Sequence, residues 1–265
     1  MITAIASLFK LASSSLRANQ MRLDVVADNI ANSYTTGFRA SRTVFGEALN
    51  SAAQPEDGVE VGRYQGVRVL EISPDVAQGI LSPSESCWHL AIEGLGFFQI
   101  RTPGGSLAYT RDGRFATSSE RELVTANGYR LEPPVTLPAD ATAFAVNADG
   151  IILGQFESFD QATGQTIIQV REVGRISLAG FINPEGLERL GQNLYGSTES
   201  SGSALQRRPD GHRWGDIVGN ALEGSNAELV EAMMEMVMAQ RAYQLSARVL
   251  RTVDDMAGMA NELVR

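Results

Sequence analysis

Residues 2–32, ITAIASLFKLASSSLRANQMRLDVVADNIAN, carry a long series of regularly spaced apolar side chains. The members of the series alternate by three and four, and only one of them is polar: Ile2, Ile5, Phe9, Ala12, Leu16, Asn19, Leu23, Val26 and Ile30. This heptad spacing, sustained over about four repeats, predicts a helix that packs lengthwise against another helix. An amphipathic helix inside a globular core is the alternative, but such helices usually run about 8 to 20 residues and carry a broader apolar stripe.

The other end of the chain carries a second series of this kind. Ser225 and Glu228 have the spacing of a capping box, which predicts a helix from Ser225 to the C-terminus. Its apolar face is predicted to contain the following residues: Leu229, Met233, Val237, Met238, Ala242, Leu245, Val249, Thr252, Met256, Met259 and Leu263.

These two helices need partners. A helix with a narrow apolar seam cannot bury that seam alone, and helices gain most of their stability from packing. We therefore expect the two ends to pair as a coiled coil and then to pack against other copies of the chain. A coiled coil formed only within one molecule is the competing interpretation.

Between the ends, short apolar runs alternate with turn residues such as Pro103-Gly104-Gly105, Asp112-Gly113 and Asn127-Gly128. Strands are predicted at 97–100, 107–110, 123–125, 135–137, 144–146, 151–153, 167–170 and 173–178. The fold class is therefore predicted to be α+β, with a mainly antiparallel β domain inserted between helical ends. The predicted divisions are an N-terminal core helix (1–36), an extended connector (37–70), a β-rich outer domain (71–220) and a C-terminal core helix (221–265).

Composition excludes several classes of function. The 265 residues carry a formal net charge of −9, which argues against a nucleic-acid binder. Cys87 is the single cysteine, so no intrachain disulfide framework is expected. No run approaches the roughly 20 apolar residues of a membrane helix. The N-terminus lacks the pattern of a signal peptide, so we expect a protein that stays in the cytoplasm or is exported without cleavage.

No pattern typical of catalysis stands out. Gly94-Leu95-Gly96 is followed by Gln99 where a dinucleotide fingerprint has its third glycine, and Lys10, the one lysine, lies in the first predicted helix rather than in a phosphate loop. His89 and His212 have no companion at metal-ligand spacing. We therefore predict no catalytic, cofactor-binding or metal-binding residues, no small-molecule substrate and no enzymatic activity.

Two motifs at opposite ends of the chain carry a resemblance. Asp28-Asn29-Ile30-Ala31-Asn32 followed by Thr35-Thr36-Gly37-Phe38 resembles the N-terminal signature of the bacterial flagellar axial family of rod and hook proteins. The C-terminal residues 222–226 (LEGSN), 229–231 (LVE) and 239–243 (AQRAY) resemble the terminal helix of that family.

The middle of the chain is similar to the distal rod type within this family. Residues 94–98 (GLGFF), 109–113 (YTRDG), 123–128 (LVTANG) and 193–195 (NLY) carry this similarity. The resemblance implies an inner core of terminal helices, an outer β domain, helical polymerisation and no catalysis. It also implies a place in the basal body within the periplasmic space, reached through the flagellar type III export apparatus. The implied partners are further copies of the chain, other rod proteins, the hook protein and the surrounding P and L ring proteins.

The predicted function is mechanical, a rigid drive shaft that carries motor torque to the hook, because densely packed interiors resist deformation. The residues predicted to support assembly are Phe9, Leu16, Leu23, Val26, Asn29, Ile30, Asn32, Gly37, Phe38, Leu229, Met233, Val237, Tyr243, Leu245, Val249, Met256 and Leu263. Asn29, Asn32, Gly37 and Phe38 are expected to shape the exit from the first helix. The alternatives are a proximal rod or hook subunit and, in another class, a secreted carbohydrate-binding or hydrolytic β domain on a coiled coil, which a concave polar and aromatic pocket would indicate.

Overall fold

The computed structural model describes residues 2–50, 63–160, 165–209 and 215–262. The chain forms two units. The helical unit comprises Met1–Asn32, Ser41–Pro74 and Ala227–Arg265, and the β unit comprises Ser33–Ala40 and Asp75–Asn226. Helical ends and a large antiparallel β region confirm the predicted α+β class. Leu263 and His212 lie outside the described residues.

The helical unit contains two long helices, α1 (Ile2–Ala31) and α2 (Leu229–Glu262). The prediction for α1 is confirmed to within one residue. In contrast, α2 begins four residues later than predicted, where the N–H of Ala232 donates to the carbonyl of Glu228 at 2.9 Å. The later start has a physical cause, since the backbone N–H of Asn226 donates to the carbonyl of Phe38 and this segment belongs to the β unit.

The helices run antiparallel to each other. Ser15 Oγ lies 3.2 Å from Ser246 Oγ, and Arg22 Nη2 lies 3.9 Å from a carboxylate oxygen of Glu235. As α1 advances by seven residues, its partner position on α2 therefore recedes by eleven. The two ends of the chain thus pack against each other within one molecule.

The helical unit also contains a β-hairpin made of β1 (Ser41–Asn50) and β2 (Arg63–Pro74). The strands pair antiparallel, with Ser41 opposite Pro74 and Asn50 opposite Arg63. Most of this hairpin lies within the predicted connector over 37–70, where no strand was predicted. The polar, glycine-bearing residues 50–66 led to that prediction, but both strands also carry apolar residues, such as Val44 and Phe45 in β1 and Val67 and Val69 in β2.

In the β unit the pairings between strands are antiparallel. Its elements are β3 (Leu81–Pro83), β4 (Leu90–Glu93), β5 (Phe97–Arg101), β6 (Leu107–Thr110), β7 (Phe115–Thr117), β8 (Leu123–Thr125), β9 (Arg130–Leu131), β10 (Ala141–Val146), β11 (Ile151–Asp160), β12 (Gln165–Arg175), β13 (Leu178–Gly180), a short 3₁₀ turn (Pro184–Gly186), β14 (Glu188–Gly191), β15 (Leu194–Gly196), β16 (Leu205–Arg207), β17 (Asp216–Gly219) and β18 (Ala221–Glu223).

One large sheet has the order β14-β15-β6-β5-β9-β8-β7, and β13 pairs with both β5 and β16. A second sheet has the order β10-β11-β12, while β17 pairs with β4 and β18 pairs with β3. The core of this unit consists of buried apolar side chains: Leu90, Ile92, Phe98, Phe115, Leu123, Leu131, Val135, Leu137, Ile152, Ile176, Leu178 and Ile217.

The predicted strands at 97–100, 107–110, 123–125, 144–146 and 151–153 are confirmed. The strand predicted at 135–137 is wrong, since Thr136 forms only an isolated bridge to Glu122. Pro133 and Pro134 precede it and have no N–H to donate to a ladder. The two strands predicted at 167–170 and 173–178 are mostly one continuous strand, β12, which ends at Arg175.

Candidate assembly site

Helix α2 packs through small side chains. Ala232 and Ala239 are buried, as is Val253 further along, and the half-buried Ser246 lies in the same heptad register. Ser246 Oγ accepts a hydrogen bond from Asn19 Nδ2 of α1 at 3.2 Å. Because these residues recur every seven positions, they form one face of α2, and their small size lets the two helices approach closely.

A second apolar face of α2 is exposed. At 3.6 residues per turn, its members lie between roughly 40° and 160° around the helix from the nearest packed residues, with Val249 and Met256 next to the packed face. Its members, here called the exposed stripe, are Val230, Met233, Met234, Val237, Met238, Leu245, Val249, Met256 and Met259. Their exposed fractions run from 46% for Met256 to 65% for Val230, so an isolated chain leaves all of them in water.

Three residues of α2 that were predicted to support assembly, Leu245, Val249 and Met256, belong to the exposed stripe. Their role in assembly stays a prediction. Leu229 and Tyr243, in contrast, are half-buried. The prediction selected the larger apolar side chains, whereas the alanines and Ser246 make the contact within the chain.

Most of the apolar series predicted on α1 is turned toward the interior of the helical unit. Asn19, its polar member, is the residue that bonds Ser246 of α2. The other members from Ala12 onward are buried or half-buried: Ala12, Leu16, Leu23, Val26 and Ile30. Phe9 departs from this pattern because it is exposed.

The hairpin is fixed to α1 at two places. Asn29, which is buried, donates from Nδ2 to the carbonyl of Ser41 at 2.9 Å and accepts from the N–H of Ser41 at 2.8 Å. Further along, Ser14 Oγ accepts from the N–H of Val67 at 3.3 Å. Gly66 has a φ of +108° there, and a Cβ at this position would lie 1.9 Å from Ser14 Oγ. Only glycine fits so close to the helix.

In the β unit, three charged side chains meet in the interior. Glu223 accepts from Arg39 Nη2 at 2.7 Å and from Arg111 Nη1 at 3.2 Å, and all three side chains are at most 4% exposed. Arg111 also donates to the carbonyls of Ile92 and Gly94. One carboxylate therefore balances two guanidinium groups, and the cluster keeps a net positive charge.

Burial dominates the electrostatics of this cluster. It lowers the pKa of Arg111 to about 10, with Glu223 opposing the change and Arg39 adding to it. Burial likewise raises the pKa of Tyr195, although the neighbouring Arg189 and Arg39 partly offset that effect. Such shifts are expected where charges leave water.

Gly37 and Phe38, predicted to shape the exit from the first helix, lie beside this cluster in the β unit. Gly37 has a φ of +66°, and its N–H donates to the carbonyl of Glu223 at 2.7 Å. Phe38 is buried, with the guanidinium of Arg189 4.9 Å from its ring centroid. The Arg189 guanidinium also donates to the carbonyl of Arg39. In the helical unit, Asn32 donates from Nδ2 to the carbonyl and carboxylate of Asp28, which ends α1.

The side chain of Asn226 hydrogen-bonds to both of the chain segments that make up the β unit. Its Oδ1 accepts from the N–H of Ala40 at 2.6 Å, and its Nδ2 donates to the carbonyls of Asp75 and Ala77 at 3.1 and 2.9 Å. The N–H of Asp75 also donates to the carbonyl of Ala40 at 2.7 Å. One amide side chain thus bonds residues 40, 75 and 77 at once.

Sequence reasoning missed the roles of Arg39, Arg111, Glu223 and Asn226. Three of them stand in motifs that carry the family resemblance, at 109–113 and 222–226. Charged and amide residues in turn motifs normally indicate solvated positions. Oppositely charged residues, such as Arg111 and Glu223, occur in motifs that are far apart in the chain. That pattern could have indicated an ion pair between the two motifs.

The described residues contain few groups of the kinds that catalysis or metal binding uses. Within those residues, no group of three or more His, Cys, Asp or Glu side chains could hold a metal ion. Ser84 Oγ lies 2.5 Å from His89 Nδ1, a contact that joins the end of β3 to the start of β4. Cys87 is a half-buried free thiol. Over the same residues, neither helix has the length and apolar character needed to span a membrane.

Comparison with known families gives three matches along the chain. Residues 9–39 match the family described as flagella basal body rod protein. Residues 91–154 match the flagellar hook protein FlgE/F/G D1 domain, and residues 218–263 match the flagellar basal body rod FlgEFG protein C-terminal family.

Individual relatives match over nearly the whole chain. The flagellar basal-body rod protein FlgG of Buchnera aphidicola subsp. Baizongia pistaciae is 35% identical over 255 residues, covering 93% of this chain and 95% of the relative. The FlgG of Caulobacter vibrioides is 33% identical over 264 residues, covering 95% and 97%. The flagellar basal-body rod protein FlgF of the same organism is 30% identical over 247 residues, covering 91% and 90%.

Proposed function

This chain belongs to the FlgG family of flagellar basal-body rod proteins, and on that basis we propose that it polymerises helically as the distal rod and carries torque from the motor to the hook. It is a structural subunit of the flagellar basal-body rod, a family of structural proteins. Assembly with other rod and hook components follows from membership of the family.

The exposed stripe on α2 is the observation that carries the assembly proposal. Soluble monomers rarely leave a contiguous patch of large apolar side chains in water, and such patches usually mark interfaces. Burial of each of these side chains stabilises an interface by about 1.5–3 kcal/mol at most. Nine of them along one helix therefore favour lengthwise packing against neighbouring copies.

We propose that packing of this kind produces a coiled-coil core of the rod. The α1–α2 pair is the unit that repeats, with the alanine face of α2 turned toward α1 and the exposed stripe turned toward other subunits. Close packing of many helices would resist twisting and bending, because dense interiors are poorly compressible. The predicted residues Met233, Val237 and Leu245 contribute through the stripe.

The exact location of the protein, its route of export and its further binding partners are also proposals. We propose a periplasmic position, export by the flagellar type III apparatus without cleavage, and contact with the P and L rings. The sequence-based division into a core helix at 1–36, a connector at 37–70, an outer domain at 71–220 and a core helix at 221–265 is proposed alongside them.

A proximal rod or hook subunit is the second candidate, because the family matched at residues 91–154 is described as the flagellar hook protein FlgE/F/G D1 domain and a FlgF rod protein also matches this chain. In Caulobacter vibrioides the FlgG protein is 33% identical to this chain over 264 residues, against 30% over 247 residues for FlgF. The longer and slightly stronger match favours the distal rod. Localisation of labelled protein in isolated basal bodies distinguishes the two positions.

Replacement of Val249 by Asp tests assembly. Val249 is 53% exposed in the single chain, so a carboxylate there should lower the folding stability of the monomer little. In an interface of this kind the same carboxylate would be buried, which is energetically unfavourable. We expect circular dichroism and thermal melting of the monomer to be unchanged, while rods and swimming are lost. Asn127→Asp adds the same charge at an exposed position of the β unit and is expected to assemble normally. Normal rods from Val249→Asp would contradict the proposal.

A further inference from the structure

An open groove of about 700 Å³ lies in the helical unit, between α1 and β2. Its apolar lining includes Met21, Val67, Leu70 and Ile72, which are all partly exposed to water. Its charged lining consists of Lys10, Arg17, Arg68 and Glu71. Three cations and one carboxylate give this basic groove a net charge of +2.

Residues 228–238, ELVEAMMEMVM, which comprise Glu228 and the start of α2, complement the basic groove in charge and polarity. The segment contains three carboxylates, Glu228, Glu231 and Glu235, and no cation. Glu235 lies 3.9 Å from Arg22 of the same chain, so Glu228 and Glu231 leave the segment with a charge of −2 for a partner. Five members of the exposed stripe lie on it: Val230, Met233, Met234, Val237 and Met238. This acidic segment therefore offers a negative, apolar surface to a positive, apolar groove.

The two surfaces also agree in length. The groove follows α1 from Lys10 to Met21, which at 1.5 Å per residue spans about 17 Å, and the acidic segment spans about 15 Å by the same measure. In the single chain the stripe members on this segment are exposed and the groove is open. Both surfaces are therefore available to another copy.

We propose that the acidic segment of one subunit docks in the basic groove of the next, an inference that rests on the proposed function. The two surfaces are different patches of the same unit, so the contact is heterologous and each bound copy presents a fresh groove or a fresh segment. Heterologous contacts that do not close into a ring generate helical filaments. The groove thus supplies a direction of growth that a self-complementary contact would lack.

Cysteine crosslinking in assembled basal bodies tests this contact. Cys87→Ser removes the native thiol, and Leu70→Cys with Met234→Cys places one thiol in the groove and one on the acidic segment. On oxidation, subunits that carry both thiols should form a ladder of multimers, whereas Leu70→Cys alone should stay monomeric. Leu70→Cys with Met256→Cys, which uses a distant member of the stripe, is the matched control and should give no ladder.

Reversing the charges on the groove and on the acidic segment is a second test of this contact, and it does not depend on crosslinking. Arg17→Glu with Arg68→Glu should abolish rods, as should Glu228→Arg with Glu231→Arg, because like charges would face each other. Combining all four changes should restore rods. Dimers from Leu70→Cys alone, or normal rods from both charge-reversed pairs with no ladder, would overturn the groove contact and leave the proposed function intact. Swimming by Val249→Asp would instead count against the proposed function.

Discussion

Arg39 donates to Glu223 at 2.7 Å, and the two side chains are 2% and 0% exposed. Arg39 follows the Gly37-Phe38 pair at the start of the β unit, and Glu223 closes β18 at its other end. A buried ion pair of this kind contributes specificity more surely than net stability, because removing two charges from water is expensive. Loss of one partner, however, leaves the other charge buried and unbalanced.

The first prediction concerns this carboxylate. Glu223→Gln leaves Arg39 and Arg111 buried without an anion, and we expect it to lower the free energy of unfolding of the β unit by about 3–5 kcal/mol. Urea denaturation of the monomer measures the loss. Glu120→Gln breaks the exposed pair with Arg130 and should cost less than about 1 kcal/mol. Equal effects of the two changes would contradict the assigned role of the buried cluster.

The second prediction concerns Gly37. In Gly37→Ala the new Cβ would lie 2.4 Å from the carbonyl carbon of Arg111, and the φ of +66° disfavours alanine as well. We expect a clear fall in thermal stability and loss of swimming. Gly128→Ala is the matched control, since Gly128 has a φ of +80° but open space around its Cβ position. The difference between the two melting temperatures isolates the steric effect, and no difference would refute it.

The third prediction concerns the amide of Asn226. Asn226→Asp places a carboxylate oxygen opposite the carbonyls of Asp75 and Ala77, where the amide now donates. We expect a loss of about 1–3 kcal/mol and faster hydrogen exchange at the N–H of Ala40, whose acceptor is the same side chain. Asn127→Asp, at an exposed site, should leave that exchange rate unchanged. An unchanged rate in Asn226→Asp would show that the side chain does not hold these segments.

The fourth prediction concerns alkaline pH. Burial raises the pKa of Tyr109 and of Tyr195 above the ordinary value near 10. Above that value the unfolded chain releases these protons while the folded chain keeps them, so their contribution to stability is present below about pH 10 and is lost as pH rises through the folded pKa. Ultraviolet titration should show a late tyrosinate component that shrinks in Tyr195→Phe and vanishes in urea. A titration without a late component would contradict the burial.

Much of the fold could be predicted from local patterns. Heptad spacing indicated both helices, and turn residues such as Asp112-Gly113 and Asn127-Gly128 placed several strands correctly. These features depend on short-range rules of periodicity and backbone conformation. Family resemblance then indicated assembly, which spacing alone left open.

The remainder depends on contacts between distant residues. Which face of α2 meets α1 was decided by small side chains such as Ala239, and apolar periodicity does not rank two faces of one helix. The hairpin of β1 and β2 was missed because the polar stretch at 50–66 indicated a connector, and nothing local shows that the apolar residues on either side of it pair with each other. The ion cluster was missed because nothing local to Arg39 or Glu223 shows that either is buried.

Arg39 and Glu223 are 184 positions apart in the chain, and β17 and β18 complete ladders that β4 and β3 begin. The ribosome must therefore release nearly all of the polypeptide before the interior of the β unit can close. Folding with so many pairings between distant residues is slow, because the chain loses the entropy of closing long loops before the stabilising contacts form. Nascent or truncated chains that stop short of residue 216 would remain open to proteases, so the cell can discard incomplete products before they reach a growing structure.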